Sequence, residues 1–342
     1  MPAVSKLNHV GNHYKTMKTF ILTYLILLLS TNLKSAQIDE TKDYLQYHKQ
    51  IIEAEKLIGE ENFKAALSQY ENVFDTYEFV FLRDYQVAAQ LALFLNDKQK
   101  ALHYVKEGIS AGWELKAIKK NKYLSQLNNE PEWKSIVNDY DSLRKVHNES
   151  LNQPIRNKAK KMFSKDQRKA FGALLKIGDK AQQKYAERKF APHSERQVFE
   201  LIEILESAGY PGEKLIGNRY WISTILSHHN SISTEYVKKD TLYTFLKPRL
   251  FEALRNGQMS PYEYATIDDW HRTVVSDRKE PGYGFLIAPT KTSLSVTNEL
   301  RQIIGLRPIE VRNKLVDVEQ RTGMNFYLPG NPWVRGNIEI KD

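Results

Sequence analysis

The stretch "EENFKAALSQYENVF", Glu60 to Phe74, decides the first half of the fold. Its apolar and small residues recur at three-and-four spacing, which predicts an amphipathic helix with one buried face. A later stretch, "DKQKALHYVKEGI", repeats the pattern, so that Ala66 and Ala101 stand 35 residues apart. A period of about 34 residues, with small residues that let paired helices approach, is typical of helix-turn-helix repeats.

This region resembles the tetratricopeptide repeats. "NFKAALSQYENVF" is similar to the G-x-Y-x-x-A-L-x-x-Y stretch of that family, with Asn62 in place of the glycine. "VAAQLALFLNDKQKAL" is similar to the first helix and turn of the next unit, and the resemblance covers Tyr44 to Gly112. It implies a concave groove for a peptide or an envelope-protein partner. Neighbouring helices must complete the stack, because two units are fewer than the three usually needed.

The segments on either side of the repeats extend the helical pattern. The first helix places five residues on its expected buried face: Leu45, His48, Ile51, Ile52 and Glu55. The polar stretch "HNESLNQPIRNK" contains a proline and predicts a domain boundary. Residues 37–150 are therefore expected to form the repeat domain, and residues 151–342 a second helical domain.

The second half carries start and stop signals for several helices. Ser164 and Ser194 are predicted N-caps, and Ser260, followed by Pro261 and Glu263, predicts a capping box. Three glycines stand where helices are expected to end: Gly209, Gly257 and Gly323. Strand signals are limited to "GFLIA" and "NIEI". The predicted fold is mainly α, with a helical-repeat N-terminal region and a compact all-helical C-terminal domain.

Residues 1–36 are expected to be an export signal. The segment "MKTFILTYLILLLSTNLKSAQ" has a positive Lys18, a short apolar run, and small residues before a cleavage site. Met17, its first residue, is an alternative initiator. A retained N-terminal anchor is the alternative interpretation, because Lys34 fits the cleavage site poorly, although the run is shorter than the roughly 20 residues of a membrane span. The protein is therefore expected to be periplasmic or secreted, with no membrane span after signal removal.

Composition excludes several classes of function. The 342-residue chain has a formal charge of +9 and no cysteine. Without residues 1–36, 46 basic residues face 41 acidic ones, and the balance of +5 includes no basic block, so no nucleic-acid partner is predicted. An exported chain without cysteine has neither disulfides nor thiolate chemistry.

Standard catalytic and nucleotide-binding motifs are absent, and the histidines are the remaining candidates. In "WISTILSHHNSI", His228 and His229 point about 100° apart on a helix, so they cannot bind one ion together. His228 with Asp268 and His271 would supply ligands suited to zinc or iron. The alternative is a helix end where histidine binds the last carbonyl groups. The second interpretation is favoured, so neither a metal nor a cofactor is predicted.

Aromatic residues are dense in the same region. Tyr220, Trp221 and Trp270 are candidate ligand-binding residues, because aromatic rings line grooves that bind sugars or peptides. The alternative is that these rings belong to the core.

A second resemblance rests on the order of four segments: "LIEILESAGYPGEKLIGNRYWISTILSHHNS", "LKPRLFEALRNGQMSPYEYATIDDW", "EPGYGF" and "IEVRNKLVDVEQRTGM". This order is similar to an uncharacterised bacterial helical domain family of unknown function, over Asp179 to Tyr327. The family has a G-[WY]-P stretch, a helix ending in Gln-His-x-Asp, a helix with Asp-Arg, a Tyr-Gly-Thr-Gln turn and a final helix with Val-[DE]-x-Arg-Arg-x-x-Gly.

His228, Asp269 and Tyr283 fall on polar positions of that family. Five other positions depart from its pattern: Ser227, Asn230, Trp270, Phe285 and Leu286. The resemblance implies that the polar residues converge on one pocket, with His228, Asp269 and Tyr283 as candidate catalytic residues in a partly degenerate site.

Two functions follow from the sequence. The first is an exported module that binds a protein or a ligand in the cell envelope. The alternative is a hydrolase-like enzyme, in which His228 is the general base and Asp269 orients it or serves as an acid. The sequence does not decide whether the protein is an enzyme.

Overall fold

The computed structural model describes residues 42–330 and 336–342, so the predicted export signal lies outside the described residues. Residues 43–342 form one compact unit. The described part is mainly α, as predicted, and it contains no β-strand, only an isolated bridge between Thr290 and Lys341. No helix in this part has both the length and the apolar character needed to cross a bilayer.

The helices are named here in chain order. The first part contains α1 (Tyr44–Gly59), α2 (Phe63–Thr76), α3 (Leu82–Phe94), α4 (Lys98–Ser110), α5 (Leu115–Lys120), α6 (Pro131–Asn138) and α7 (Tyr140–Ser150). The second part contains α8 (Gln153–Leu174), α9 (Asp179–Tyr185), α10 (Ala191–Ala208), α11 (Glu213–Ile216), α12 (Trp221–His229), α13 (Thr234–Lys239), α14 (Leu242–Arg255), α15 (Pro261–Val275), α16 (Leu294–Ile303) and α17 (Ile309–Thr322).

Two consecutive helical hairpins, α1–α2 and α3–α4, have equivalent turns. Glu61 and Asn96, 35 residues apart in sequence, both adopt a left-handed backbone, with φ of 59° and 61°. The next residue in each turn, Asn62 or Asp97, caps the following helix through its side chain, at 3.4 and 2.9 Å from the third following amide. Membership of the tetratricopeptide family stays a prediction.

A late segment of the chain completes the core of these hairpins. Helix α17 packs on α1, and four of the last apolar residues join the first core: Leu315, Val318, Met324 and Phe326. The buried amide of Gln90 on α3 donates to the Asn325 carbonyl at 2.6 Å and accepts from the Asn325 amide at 2.8 Å. The core of the two hairpins is therefore completed by a segment that, at Asn325, lies 235 residues downstream of Gln90.

The second core is assembled mainly from α8, α10, α12, α14 and α15. Its central residues are apolar and almost fully enclosed: Val198, Leu201, Ile225, Leu226, Leu246, Leu250 and Ile267. Between the two parts, α7 ends at Ser150, and the side chain of Asn152 caps α8 by accepting from the Ile155 amide at 3.1 Å. The division into domains at residue 150 stays a prediction.

Several predicted helix ends are confirmed. The Ser260 hydroxyl accepts from the Glu263 amide at 3.3 Å, and the Glu263 carboxylate accepts from the Ser260 amide at 3.3 Å, which completes the capping box. Gly209, Gly257 and Gly323 all have positive φ at the ends of their helices, a conformation that glycine adopts without strain.

Two predicted N-caps are wrong. Ser164 lies inside α8, where its hydroxyl donates to the Lys160 carbonyl at 2.9 Å. Ser194 lies inside α10, which begins at Ala191. Helix α8 starts earlier than the hydrophobic pattern suggests, because Asn152 caps it. Helix α10 has no side-chain cap and continues directly from a π-helical turn, Ala186–Phe190.

Candidate functional site

His228 lies at the end of α12 and pairs with a residue that the sequence did not suggest. Its Nδ1 atom is 2.6 Å from Oδ2 of Asp166, a fully buried carboxylate on α8. The His228 side chain is 31% exposed, and its ring also meets Phe190 edge-on. A carboxylate on one ring nitrogen fixes the orientation of an imidazole and leaves the other nitrogen available. Within the described residues, no hydrogen bond joins His228 to Asp269 or Tyr283.

Asp269 and Tyr283 are brought together, but through the backbone. The buried carboxylate of Asp269 on α15 accepts from the Tyr283 amide at 2.6 Å and from the Phe285 amide at 2.9 Å. Gly282 and Gly284 have positive φ, and a Cβ atom at Gly282 would meet Asp269 Oδ1. Burial raises the pKa of Asp269 to about 7, although the amides oppose this. Asp269 therefore anchors the turn that precedes α16.

Asp268, the next residue on α15, is the centre of a separate buried cluster. Its oxygens contact the Lys247 ammonium at 2.7 Å and the Arg272 guanidinium at 2.7 Å, and accept from the hydroxyl groups of Tyr243 and Tyr283 at 2.8 and 3.3 Å. Burial would raise the pKa of Asp268, but Lys247 and Arg272 lower it. The carboxylate is thus neutralised by its neighbours.

The structure does not gather the three residues that were considered as metal ligands, His228, Asp268 and His271, into one site. His271 lies against the ring of Tyr243, 4.7 Å between centroids, while His228 contacts Asp166 instead of Asp268. In residues 42–330 and 336–342, no group of three histidine, aspartate or glutamate side chains is arranged to bind a metal ion.

His229, next to His228, has a structural role. It is fully buried, with Nδ1 3.0 Å from the Ser194 hydroxyl and Nε2 3.2 Å from Asp240. Asp240 also accepts from the Tyr243 amide at 2.9 Å, at the start of α14. This histidine therefore ties α10 and α12 to the beginning of α14.

The three candidate aromatic residues are separated. Tyr220 is 48% exposed and borders a cleft described below. Trp221 faces Phe163 in a stacked arrangement, with the Arg156 guanidinium 5.8 Å from its ring centroid, and Trp270 is half-buried on α15. Of the three, only Tyr220 is among the residues that line the cleft.

A cleft of about 90 Å³ lies where the hairpins meet the second core. One wall comes from α1 and from the start of α3, and the other from the α11 region, from the start of α15 and from the loop before α17. Both walls carry charged side chains: Glu55, Arg83, Asp84, Glu213, Glu263 and Arg307. A concave site with converging polar groups is the expected place for a ligand in a protein of this size.

Four of these charges pair with one another. The fully buried Glu55 carboxylate is 2.7 Å from the Arg83 guanidinium and 2.5 Å from that of Arg307. Arg83 also contacts Asp84 at 3.3 Å, and the other oxygen of Asp84 accepts from the Tyr47 hydroxyl at 2.6 Å. Two carboxylates and two guanidinium groups, contributed by both walls, therefore balance one another.

The remaining two carboxyl groups have strongly raised pKa values. Burial raises the pKa of Glu213 to about 8, although this side chain accepts from the Leu82 amide at 2.6 Å at the first turn of α3. Burial also raises the pKa of Glu263 to about 7, and Glu263 accepts from the Tyr210 hydroxyl at 3.2 Å. Around neutral pH Glu213 is therefore mostly protonated and Glu263 is protonated in part, whereas exposed glutamates are ionised. In its protonated form each carboxyl group can donate as well as accept a hydrogen bond.

Sequence reasoning missed most of this cleft, although one signal was visible. Glu55 and His48 lie on the face of α1 that the pattern assigned to the core, and both are buried. A carboxylate on an apolar face requires a partner, since an isolated buried charge is very costly. The partner Arg307 is 252 residues away, so periodicity alone could not identify it.

Comparison with known proteins completes this description. No family model matches the chain, no curated protein matches it, and no solved structure matches it. The likenesses to tetratricopeptide repeats and to the uncharacterised bacterial family therefore stay predictions, and the geometry of the site carries the functional argument.

Proposed function

We propose that the protein binds a small, uncharged, hydroxylated ligand, such as a fragment of a carbohydrate, in the cleft. The observation that carries this proposal is the convergence of Glu213, Glu263 and the exposed ring of Tyr220 on one space of about 90 Å³. Protonated carboxyl groups match hydroxyl groups, because both sides donate and accept. An aromatic face at the rim suits the apolar side of a sugar ring.

The charges of the cleft favour an uncharged ligand. Glu55 and Asp84 are already paired with Arg83 and Arg307. Burial raises the pKa values of Glu213 and Glu263 and so favours the uncharged form of both carboxyl groups. An ionic ligand would find no free counter-charge and would have to disrupt an existing pair.

We further propose that the protein acts in the cell envelope, as an exported binding module. The export-signal pattern of residues 1–36 supports this location, and the repeat resemblance supports a peptide or envelope-protein partner in the groove of the hairpins. The test is N-terminal sequencing of the protein from fractionated cells. A cytosolic product that retains Met1 contradicts export.

Thermal unfolding with neutral mono- and disaccharides, with short neutral peptides and with the amine spermidine tests the choice of ligand. We expect a saccharide to raise the melting temperature. Tyr220→Ala should weaken that ligand at least tenfold, whereas Glu213→Gln should keep its affinity within about threefold, since glutamine imitates a protonated glutamate. Glu203→Gln, an exposed position, is the matched control. Stabilisation by spermidine alone, abolished in Glu213→Gln, would overturn the proposal.

A second candidate function is hydrolysis, and the observation that favours it is the 2.6 Å contact between His228 and Asp166. A buried carboxylate that orients a partly exposed imidazole is the arrangement of a general base. In this role Asp166 replaces Asp269, whose oxygens accept from backbone amides.

A matched pair of substitutions tests the hydrolase. Asp166→Asn should lower the turnover of 4-nitrophenyl acetate at least tenfold while the protein stays folded, because the imidazole loses its orientation. Asp240→Asn, which disturbs the buried neighbour His229, should leave turnover unchanged. Equal activity of wild type, Asp166→Asn and His228→Ala contradicts this candidate.

A further inference from the structure

A second pocket, of about 170 Å³, contains three arginines from three parts of the chain. Arg144 comes from α7, Arg156 from α8 and Arg219 from the loop before α12. We call it the arginine pocket. Asn218 lines both this pocket and the cleft.

Two of the arginines have no carboxylate partner in the part of the chain that the structure describes. Arg156 donates to the Ile216 carbonyl and Arg144 to the Ile109 carbonyl, each at the end of a short or medium helix. Each guanidinium has five N–H groups in a planar fork, so most of its donors stay available. Arg219 does pair with Glu114, at 3.3 Å, but both side chains are about half exposed.

A buried histidine ring lies beside these arginines without a hydrogen bond to any described residue. Gly112 and Gly217 make room for His147, since a Cβ atom at either glycine would be within 3.2 Å of the ring. Burial, followed by the charges of Arg144 and Arg156, lowers the pKa of His147 to about 4. The ring is therefore neutral at pH 7, and it adds no repulsion to the three positive charges.

An indole N–H is a further donor without a partner. Trp113 lines the arginine pocket, is almost fully buried, and its Nε1 atom has no hydrogen-bond acceptor among the described residues. A buried donor without an acceptor is costly, and native proteins usually supply a partner for it. Glu114 is the acidic residue of the lining, so the three arginines give the arginine pocket an excess of positive charge. The Trp113 N–H, a hydrogen-bond donor without a partner among the described residues, accompanies this charge.

We propose that the arginine pocket binds a phosphoryl group, either free phosphate or the phosphate of a larger compound. Guanidinium groups that approach from three elements suit a tetrahedral dianion, because each can donate two parallel hydrogen bonds to phosphate oxygens. A net excess of two positive charges over Glu114 matches a dianion. This proposal does not depend on the ligand of the cleft.

Calorimetric titration of the full chain with inorganic phosphate at pH 7.5 tests the site, with chloride at equal ionic strength as the reference. We expect saturable phosphate binding, and at least a tenfold weaker affinity in Arg144→Gln. Arg144→Lys should recover part of the loss, because it restores the charge but not the fork. Glycerol 1-phosphate distinguishes the two sources: tighter binding than phosphate indicates a larger natural ligand, whereas equal binding indicates free phosphate.

Lys161→Gln removes a positive charge from the exposed side of α8 and is the matched control. Phosphate should also raise the pKa of His147, measured from its ring signals by NMR, because a nearby anion favours the charged imidazole. Absence of saturable binding, or an equal loss in Lys161→Gln and Arg144→Gln, would overturn the proposal.

Discussion

The cleft and the arginine pocket are both lined by Asn218, yet they differ in how their charged side chains are paired. In the cleft, Glu55 is matched by Arg83 and Arg307. In the arginine pocket, the hydrogen bonds that Arg144 and Arg156 donate within the described residues go to carbonyl groups at helix ends, and neither has a carboxylate partner there. Matched charges hold a fold together, whereas unmatched charges store repulsion that a ligand of opposite sign relieves.

Removal of the central charge in the cleft should have the largest effect. Glu55→Gln removes the carboxylate that pairs with both Arg83 and Arg307, which leaves two neighbouring positive charges without it. We expect a loss of about 3–5 kcal/mol in the free energy of unfolding, the usual cost of breaking a buried ion pair. Urea unfolding measures this loss. Glu53→Gln, an exposed position on the same helix, is the control and should change stability by less than about 0.5 kcal/mol. A similarly small change in Glu55→Gln would show that the cleft charges are not matched as described.

Asp269 extends the comparison to a charge that is matched by backbone amides. Each oxygen of Asp269 accepts from one amide, Oδ1 from Tyr283 and Oδ2 from Phe285. In Asp269→Asn, one of these two acceptors is replaced by an NH2 group, which can only donate. We expect a loss of about 1–3 kcal/mol, the usual cost of an unsatisfied buried group. Thermal unfolding gives the loss, and hydrogen exchange of the two amides locates it. Unchanged exchange would mean that Asp269 does not hold the turn.

The raised pKa of Glu213 predicts a dependence of stability on pH. The folded protein holds a proton between the ordinary pKa of 4.5 and about 8, whereas the unfolded chain has released it. Folded stability therefore falls as pH rises through this window, by up to about 1.4 kcal/mol per pH unit for one group. Glu213→Gln should flatten the slope measured by urea unfolding at pH 5 to 8. An unaltered slope assigns the titration to another group.

The smallest expected effect has the opposite sign. Arg144→Gln removes one of three like charges from the arginine pocket, so at low ionic strength and without phosphate it should stabilise the fold by about 0.3 kcal/mol. Roughly 1 M sodium chloride, where charges are screened beyond about 3 Å, should abolish the gain. Urea unfolding at both salt concentrations measures it. A clear destabilisation would mean that the Arg144 charge is matched after all.

Local patterns were enough to predict the helices and several of their ends. The capping box at Ser260 and the glycines after helices follow from interactions within a few residues, and these predictions are confirmed. Ser164 and Ser194 failed as caps because a serine in a polar turn looks the same at a helix start and inside a helix. Sequence spacing does not distinguish these two environments.

The candidate site was harder to predict, because it depends on long-range contacts. His228 was singled out, but its partner Asp166 lies on another helix, 62 residues away. The adjacent pair of histidines separates into one partly exposed ring and one buried ring, a difference set by the neighbours of α12 and not by its own sequence. A charge on the buried face of α1 requires a partner, but the spacing of residues in the sequence does not indicate which one.

The two hydrogen bonds between Gln90 and Asn325 have a consequence for the order of folding. The hairpin helices are the first described elements to be synthesised, yet their core stays incomplete until residues 309–326 are available. Contacts of such sequence separation form late and slow the folding of a chain. We therefore expect the hairpins to be loosely packed during synthesis and to reach their full packing only when α17 and the segment through Phe326 dock. Unfolding under force should begin at the same place, by release of the segment that contains Asn325.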